Sequence, residues 1–416
     1  MKSMQNVRNF FIILLFSSLS FYSCGKEKLK TNNCEISFSW WGKENRNNYT
    51  LQGISNFESQ NPTIHISPEY SSWEEYEDSF GQKLQSGQCA DVMQVNFDWL
   101  HKYASKGEYF YNLRELSDYL ELYNYTLDDL EYGTIDGELI ALPIAFNTAI
   151  PVFDNKILQK YSLNIPSTWD ELFSMAKVLK KNDMYVFTIS KRHLFFVAMA
   201  WFEQTFSKKM FTEDGQLNIS KEEVEIIYIF IKRLVNENVI YAFNDGFQLD
   251  AIRERKVAGA VLWCNETAIF LEEVTKLGGS PILGNFITIP GAKESGWYLK
   301  PACLYVINKN CKHPKEAAKL VNYLLNNQEF ALLQKNEKGV PISNKSLTAL
   351  MEANQLESMQ YKALMKIRFN NDTINKMLPF MEDNKIILPF ADNAYAYIEG
   401  QKSKSQAAEA FIDFAF

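Results

Sequence analysis

The 416-residue sequence contains no GxxxxGK(S/T) loop, no GxGxxG run after a strand candidate, no GxSxG and no HExxH. These absences remove the signatures of P-loop and dinucleotide binding, of the hydrolase nucleophile elbow and of zinc proteolysis. Histidine is scarce: His65, His101, His193 and His313 are the only four, and they are far apart. No CxxC, no Cys/His cluster with zinc spacing and no EF-hand loop occurs, so no metal and no cofactor is expected. Blocks of Lys and Arg are missing too. With 43 Lys+Arg against 50 Asp+Glu the formal charge is −7, which serves solubility and argues against a nucleic-acid partner. Carboxylates are plentiful, but nothing singles out a glycosidase pair among the 50, and the chain is not expected to be an enzyme.

What is present is the composition of a folded protein with a large core. Hydrophobic residues make up 46% and aromatics 14%, with 8 Trp, 21 Tyr and 30 Phe, and the length suits two or three domains.

The start reads as an address. Met1–Asn9 carries Lys2 and Arg8 and no acid, and Phe10–Leu19 is nearly all apolar. That run is much shorter than the roughly 20 residues of a spanning helix, and it matches the core of a signal peptide covering residues 1–23. Phe21-Tyr22-Ser23-Cys24 resembles a lipoprotein signal, in which Cys24 is acylated and becomes the first mature residue. The alternative is a plain cleaved signal with Cys24 incidental. Residues 24–33 are polar and form a tether. No later segment is long and apolar enough to cross a bilayer, so the expected location is exported, held by lipid, facing the periplasm or cell exterior.

Five cysteines remain after Cys24, so at least one is free or pairs outside the chain. Cys34 and Cys89 each immediately precede a strand candidate. If those strands are parallel neighbours, a disulfide there closes a long loop worth roughly 4 kcal/mol. The residues leave both the bonded and the free state open. Cys264, Cys303 and Cys311 include ordinary buried thiols.

After the tether, strand and helix alternate. Glu35–Trp41, Thr63–Ser67 and Asp91–Val95 read as strands. Between them, residues 47–59 and 73–86 place apolar side chains at helical spacing, as Tyr76, Phe80 and Leu84 do. Thr168 with Glu171 and Ser220 with Glu223 are spaced as capping boxes at helix starts. Lys256–Trp263 and Leu304–Asn308 read as buried strands, and His313-Pro314 opens another helix. The expected fold is α/β with two lobes of comparable size, not a barrel.

The informative side chains stand where strands end, the place where open α/β sheets bind ligands. Trp40 and Trp41 end the first strand, Asn96, Asp98 and Trp99 follow the third, and Trp263 with Glu266 follows VAGAVLW. Trp73 lies between strand and helix, and Trp297-Tyr298 follows a glycine-bounded loop. Flat rings beside Asn, Asp and Glu suit a sugar, whose C–H face stacks while its hydroxyls need paired partners. The competing explanation for any one Trp is packing, and Trp169 and Trp201 are assigned to it.

With these residues in view, the sequence resembles the extracellular solute-binding lipoproteins of bacterial ABC importers, in the sugar-binding branch. The resemblance rests on ISFSWWGKENRN, ADVMQVNFDWL, IPSTWDELFSMAKVLKK, VAGAVLW and KHPKEAAKLVNYLLNN, in the family's order over nearly the whole mature chain. It implies a type II periplasmic-binding-protein-like fold with a ligand cleft between lobes. The first lobe would hold 34–143 and 303–345, the second 144–302 and 346–416. Ala141-Leu142-Pro143 and Lys300–Leu304 would be crossings. Trp41, Trp73, Asn96, Asp98, Asn147, Trp263, Glu266, Trp297 and Tyr298 would face the ligand. The function implied is capture of a sugar, with an oligosaccharide favoured by the aromatic content, by a monomer that delivers it to ABC permease subunits. A sensor or chemoreceptor output, a non-sugar ligand such as ferric ion, polyamine or phosphate ester, and a surface glycosidase are the rival readings.

Overall fold

The alternating strands and helices build two mixed α/β sheets. The computed structural model describes residues 33–104, 109–244, 248–355, 361–362, 365 and 374–415. The signal segment, Cys24 and nearly all of the tether lie outside the described residues.

The first sheet begins with β1 (Cys34–Trp41), β2 (Ile64–Ser71) and β3 (Val92–Val95), with β1 central and parallel to both neighbours. Buried Ile36, Phe38 and Trp40 alternate with outward or opposite-face residues along β1, which fixes its register. Helices Glu44–Gln60 and Trp73–Gln85 connect these strands. A small hairpin, β4 (Thr134–Ile135) and β5 (Glu138–Leu139), precedes β6 (Leu142–Asn147). The second sheet holds β7 (Ala149–Asp154), β8 (Tyr185–Ser190), β9 (Ile240–Asn244), β10 (Val257–Trp263) and β11 (Pro281–Leu283), in the order β11-β7-β10-β8-β9. The chain then returns through β12 (Tyr298–Ile307), which pairs antiparallel with β3 and β6. A short β13 (Asn375–Lys376) lies along the start of β12.

The crossing differs from its expected place. β6 stays in the first sheet as far as Asn147, and the second sheet starts at Ala149, so the chain changes lobes at Thr148 rather than at Ala141–Pro143. LPIAFN is buried at every position, as a strand with both faces covered must be. Thr148 Oγ donates to the Tyr298 carbonyl at 2.8 Å, and Lys300 pairs with Asn147, so outgoing and returning strands lie side by side. The expected first-lobe boundary at 345 also moves, because helix Asn344–Glu352 packs with helix Gln328–Gln334 of that lobe. The C-terminal helices Asn384–Ile398 and Lys404–Ala415 pack on helices Lys191–Phe206 and Lys221–Asn236 of the second lobe.

Both capping boxes form. Thr168 and Ser220 accept from the backbone N–H of Glu171 and Glu223, whose carboxylates reach back. Trp169 and Trp201 are packing residues: Trp201 stacks on Phe230 at 4.0 Å, and the Trp169 indole donates to Gln204.

The Cys34–Cys89 disulfide is not formed; both are free thiols, as are Cys264, Cys303 and Cys311. The strands are indeed parallel neighbours, with Phe38 opposite Val92 and Ser39 opposite Met93. Cys89 precedes β3, which begins at Val92, so it lies outside the paired strands that hold Cys34. Cys34 lies near Glu316 and Lys319, whereas Cys89 lines a pocket with Tyr76 and Phe80.

Candidate ligand-binding cleft

The carboxyl ends of β1, β2 and β10 open on a cleft of about 790 Å³. Trp41 and Trp73 line it from the first lobe, and Asn265 and Glu266 from the second. Arg46 and Glu337 lie at its side, joined by a 2.8 Å ion pair. Arg46 also donates to the Trp41 carbonyl, which fixes the turn after β1. Trp73 is the first residue of its helix, set there by the Ser72–Glu75 capping box.

Behind this wall the aromatics continue inward. Trp41 meets Trp73 edge-on at 5.0 Å, and Trp73 stacks on Trp99 at 5.6 Å. Trp99 in turn stacks on Phe80 at 4.5 Å. Trp99 is buried and braces the two rings that reach the cleft, which leaves them little rotamer freedom to lose on contact with a ligand.

A cluster of charged side chains gathers around Lys300, close enough to the cleft residue Glu266 to act on its carboxyl. Lys300 on β12 is buried, 2.6 Å from Glu382 and 4.6 Å from the centre of the Trp263 ring. Arg192, at the start of a second-lobe helix, reaches Glu382 at 3.5 Å and Asn384 at 2.6 Å. Asp98 accepts from the Asn96 side chain. Burial, then the Glu382 carboxylate, pushes Asp98 up to about 7 against the pull of Lys300 and Arg192. Burial also raises Glu266, although its carboxylate accepts the Trp263 N–H. Glu77 is raised by burial against the pull of Arg192. His193 packs edge-on against Trp263; burial holds it down at about 3, so the ring is neutral.

Residues 43–329, more than half of the chain, match the family described as bacterial extracellular solute-binding protein. The chain belongs to that family. A probable ABC transporter-binding protein of Deinococcus radiodurans is 24% identical over 219 residues, 48% of this chain and 50% of that one. The chain thus spans about half the length of that curated relative. Among solved structures, a periplasmic solute-binding protein from Pectobacterium atrosepticum superposes with a TM-score of 0.86 at 26% identity, covering 92% of this chain and 98% of that one. An oligogalacturonide-binding protein from Yersinia enterocolitica, solved with saturated digalacturonic acid, gives 0.82 at 26% identity, covering 91% and 96%. The fold is therefore the two-lobed periplasmic-binding-protein fold.

In this solute-binding protein the expected site residues divide. Trp41, Trp73 and Glu266 line the cleft, whereas Asp98 and Trp263 belong to the ionic cluster around Lys300 and are not among the residues that line it. Asn96 joins them through Asp98. Three others are engaged inside the protein. Asn147 is buried, donates to the Asn265 side chain and accepts from the Asn265 N–H and the Cys264 thiol, so it secures the crossing. Trp297 is buried, gives its indole N–H to the Ile287 carbonyl and lines an apolar void in the second-lobe core. Gly296 before it takes φ +65°, and a Cβ there would lie 2.4 Å from Ala200, so that turn seats the ring inward. Tyr298 gives its hydroxyl to Glu203, a wholly buried carboxyl pushed up by burial to about 7.

Sequence reasoning missed Arg192, Lys300, Glu382 and Glu77. For two of them a signal existed: Lys300 and Arg192 are cations embedded in or heading apolar runs, YLKPACLYVI and KRHLFFVAMAWF. A charge in such a run needs a partner. Glu382 carries no local mark.

Proposed function

We propose that this protein is an exported, lipid-anchored receptor that captures a sugar of more than one ring and hands it to an ABC permease. The observation that carries this reading is the braced Trp41–Trp73 wall of one lobe facing Asn265 and Glu266 of the other across a cleft of about 790 Å³. That volume lies in the upper part of the usual range for small-molecule sites, about 300–1,000 Å³, and gives room for more than a single ring. The rings offer stacking faces, and Glu266 and Asn265 offer hydrogen-bond partners for hydroxyls. The Yersinia neighbour's oligogalacturonide and the Deinococcus relative's transporter name support the sugar class and the importer partner.

Binding by hinge closure would use the paired strands at Thr148 and Tyr298 as the joint. Ligand favours the closed form only by its greater affinity for it. The test is a thermal-shift and calorimetric screen of the mature protein against mono- and oligosaccharides. Saturable, stoichiometric binding with the sugar recovered intact supports the reading. Recovery of a cleaved product would replace it with an enzyme, and binding of a polyamine or metal alone would replace the ligand class.

A further inference from the structure

The cleft extends beyond the Trp41–Trp73 wall. Tyr70, near the end of β2, also lines it and is 46% exposed. Its ring stacks on Trp40, with centres 5.0 Å apart and planes 26° apart. Trp40 is wholly buried, and its indole N–H donates at 3.0 Å to Asn47, another residue of the cleft lining. Tyr70 is thus a second braced ring, set on Trp40 as Trp73 is set on Trp99. The two platforms stand on opposite faces of the first sheet. Trp40 pairs with Tyr70 and Trp41 with Ser71 across β1 and β2, and successive side chains alternate faces. Trp40 and Tyr70 lie on the side of helix Glu44–Gln60, where Asn47 holds Trp40. Trp41 lies on the side of helix Trp73–Gln85, where Trp73 meets it. The second lobe also continues past Asn265 and Glu266, with Ala268 and the 43%-exposed Ile269 on the same cleft. Lys43 and Arg46 line the cleft together with Glu74, Glu266 and Glu337, so the lining favours no single ligand charge.

Granted the sugar-binding reading above, we propose that Tyr70 is a second stacking subsite, which holds a further unit of a linear oligosaccharide and makes the cleft select by chain length. One pyranose cannot lie on both platforms, because they stand on opposite faces of the β1–β2 pair. A chain that crosses the carboxyl edge of these strands reaches both. A short sugar takes the Trp41–Trp73 platform, where two rings meet, and only a longer one extends to Tyr70. Tyr70 is held against Trp40 before any ligand arrives, so the contact loses little rotamer freedom.

The experiment is calorimetric titration of the mature protein with ladders of one to five units, α-1,4-linked glucose in one series and α-1,4-linked galacturonate in the other. In a series that binds, the longest member should bind at least fivefold more tightly than the shortest member that binds. Tyr70→Ala should narrow that ratio by about threefold or more, the worth of one aromatic contact, with a cooperative melt retained. Tyr70→Phe should keep the ratio, and Trp73→Ala should weaken every member. If Tyr70→Ala does not fold, Tyr70→Leu, which keeps an apolar cover on Trp40 but no flat ring, is read in its place. Level affinity along the ladder overturns the length selection and leaves the sugar reading intact. A ratio unmoved by loss of the Tyr70 ring, or an equal weakening of all members, overturns the Tyr70 subsite. A ratio lost in Tyr70→Phe as well assigns the contact to the hydroxyl and overturns the stacking. Failure of every member of both ladders to bind overturns the sugar reading and this subsite with it.

Discussion

Lys300 Nζ lies 2.6 Å from Glu382 Oε2, with both side chains almost wholly withdrawn from water. The pair joins the strand that returns from the second lobe to a turn in the C-terminal segment. Removing one member of such a pair strands a buried charge and costs about 3–5 kcal/mol, whereas replacing both by apolar groups is far milder. Lys300→Met alone should lower the unfolding free energy measured in urea by that order, and Lys300→Met with Glu382→Leu should recover much of it. A double variant as unstable as the single one would contradict the pairing.

Trp73 and Trp297 should separate binding from stability. Trp73 lines the cleft and is half-buried, so Trp73→Ala should weaken sugar binding at least tenfold with a small change in melting temperature. Trp297 is buried with its N–H bonded, so Trp297→Ala should cost about 3–5 kcal/mol and leave the affinity of the folded protein intact. Parallel melts and titrations check both; the opposite pattern would return Trp297 to the site.

The thiols should be silent toward reductant. Cys34 and Cys89 are free, so dithiothreitol should not change the melting temperature, and thiol titration in denaturant should give the same count with and without it. A drop on reduction would show a bond and contradict the free thiols.

Acid should stabilise the protein locally through Asp98. Its carboxyl rises from the ordinary 3.8 to about 7 in the folded state, so between these values the folded chain holds a proton that the unfolded chain has lost. Stability from this group therefore falls as pH rises from about 4 to 7 and is level above. Glu203 acts in the same direction. Asp98→Asn should raise the melting temperature relative to wild type more at pH 8 than at pH 5. An equal difference at both would contradict the shift.

Much of the first lobe was legible because its strands alternate and its helices repeat every three to four residues, as the observed β1–β3 and their connecting helices show. Trp41 and Trp73, which line the cleft, were legible because strand ends are where such sheets present their outward groups. β6 and β7 were not, since LPIAFN and AIPVFD are continuous apolar runs broken by prolines and carry no alternation. Trp297 and Tyr298 looked like site residues for the same reason as Trp263. What turns them inward is the Ile287 carbonyl and the Glu203 carboxyl, the latter some ninety residues away in sequence. The ionic cluster was hidden likewise, because Asp98, Arg192, Lys300 and Glu382 come together only in three dimensions.

The most direct measurement is a calorimetric titration of the mature protein with neutral oligosaccharides, repeated with Trp73→Ala. Saturable one-to-one binding that weakens at least tenfold in the variant is the expected result. Binding unchanged by the loss of the Trp73 ring, or no sugar binding in the wild type, would contradict the assignment of this cleft.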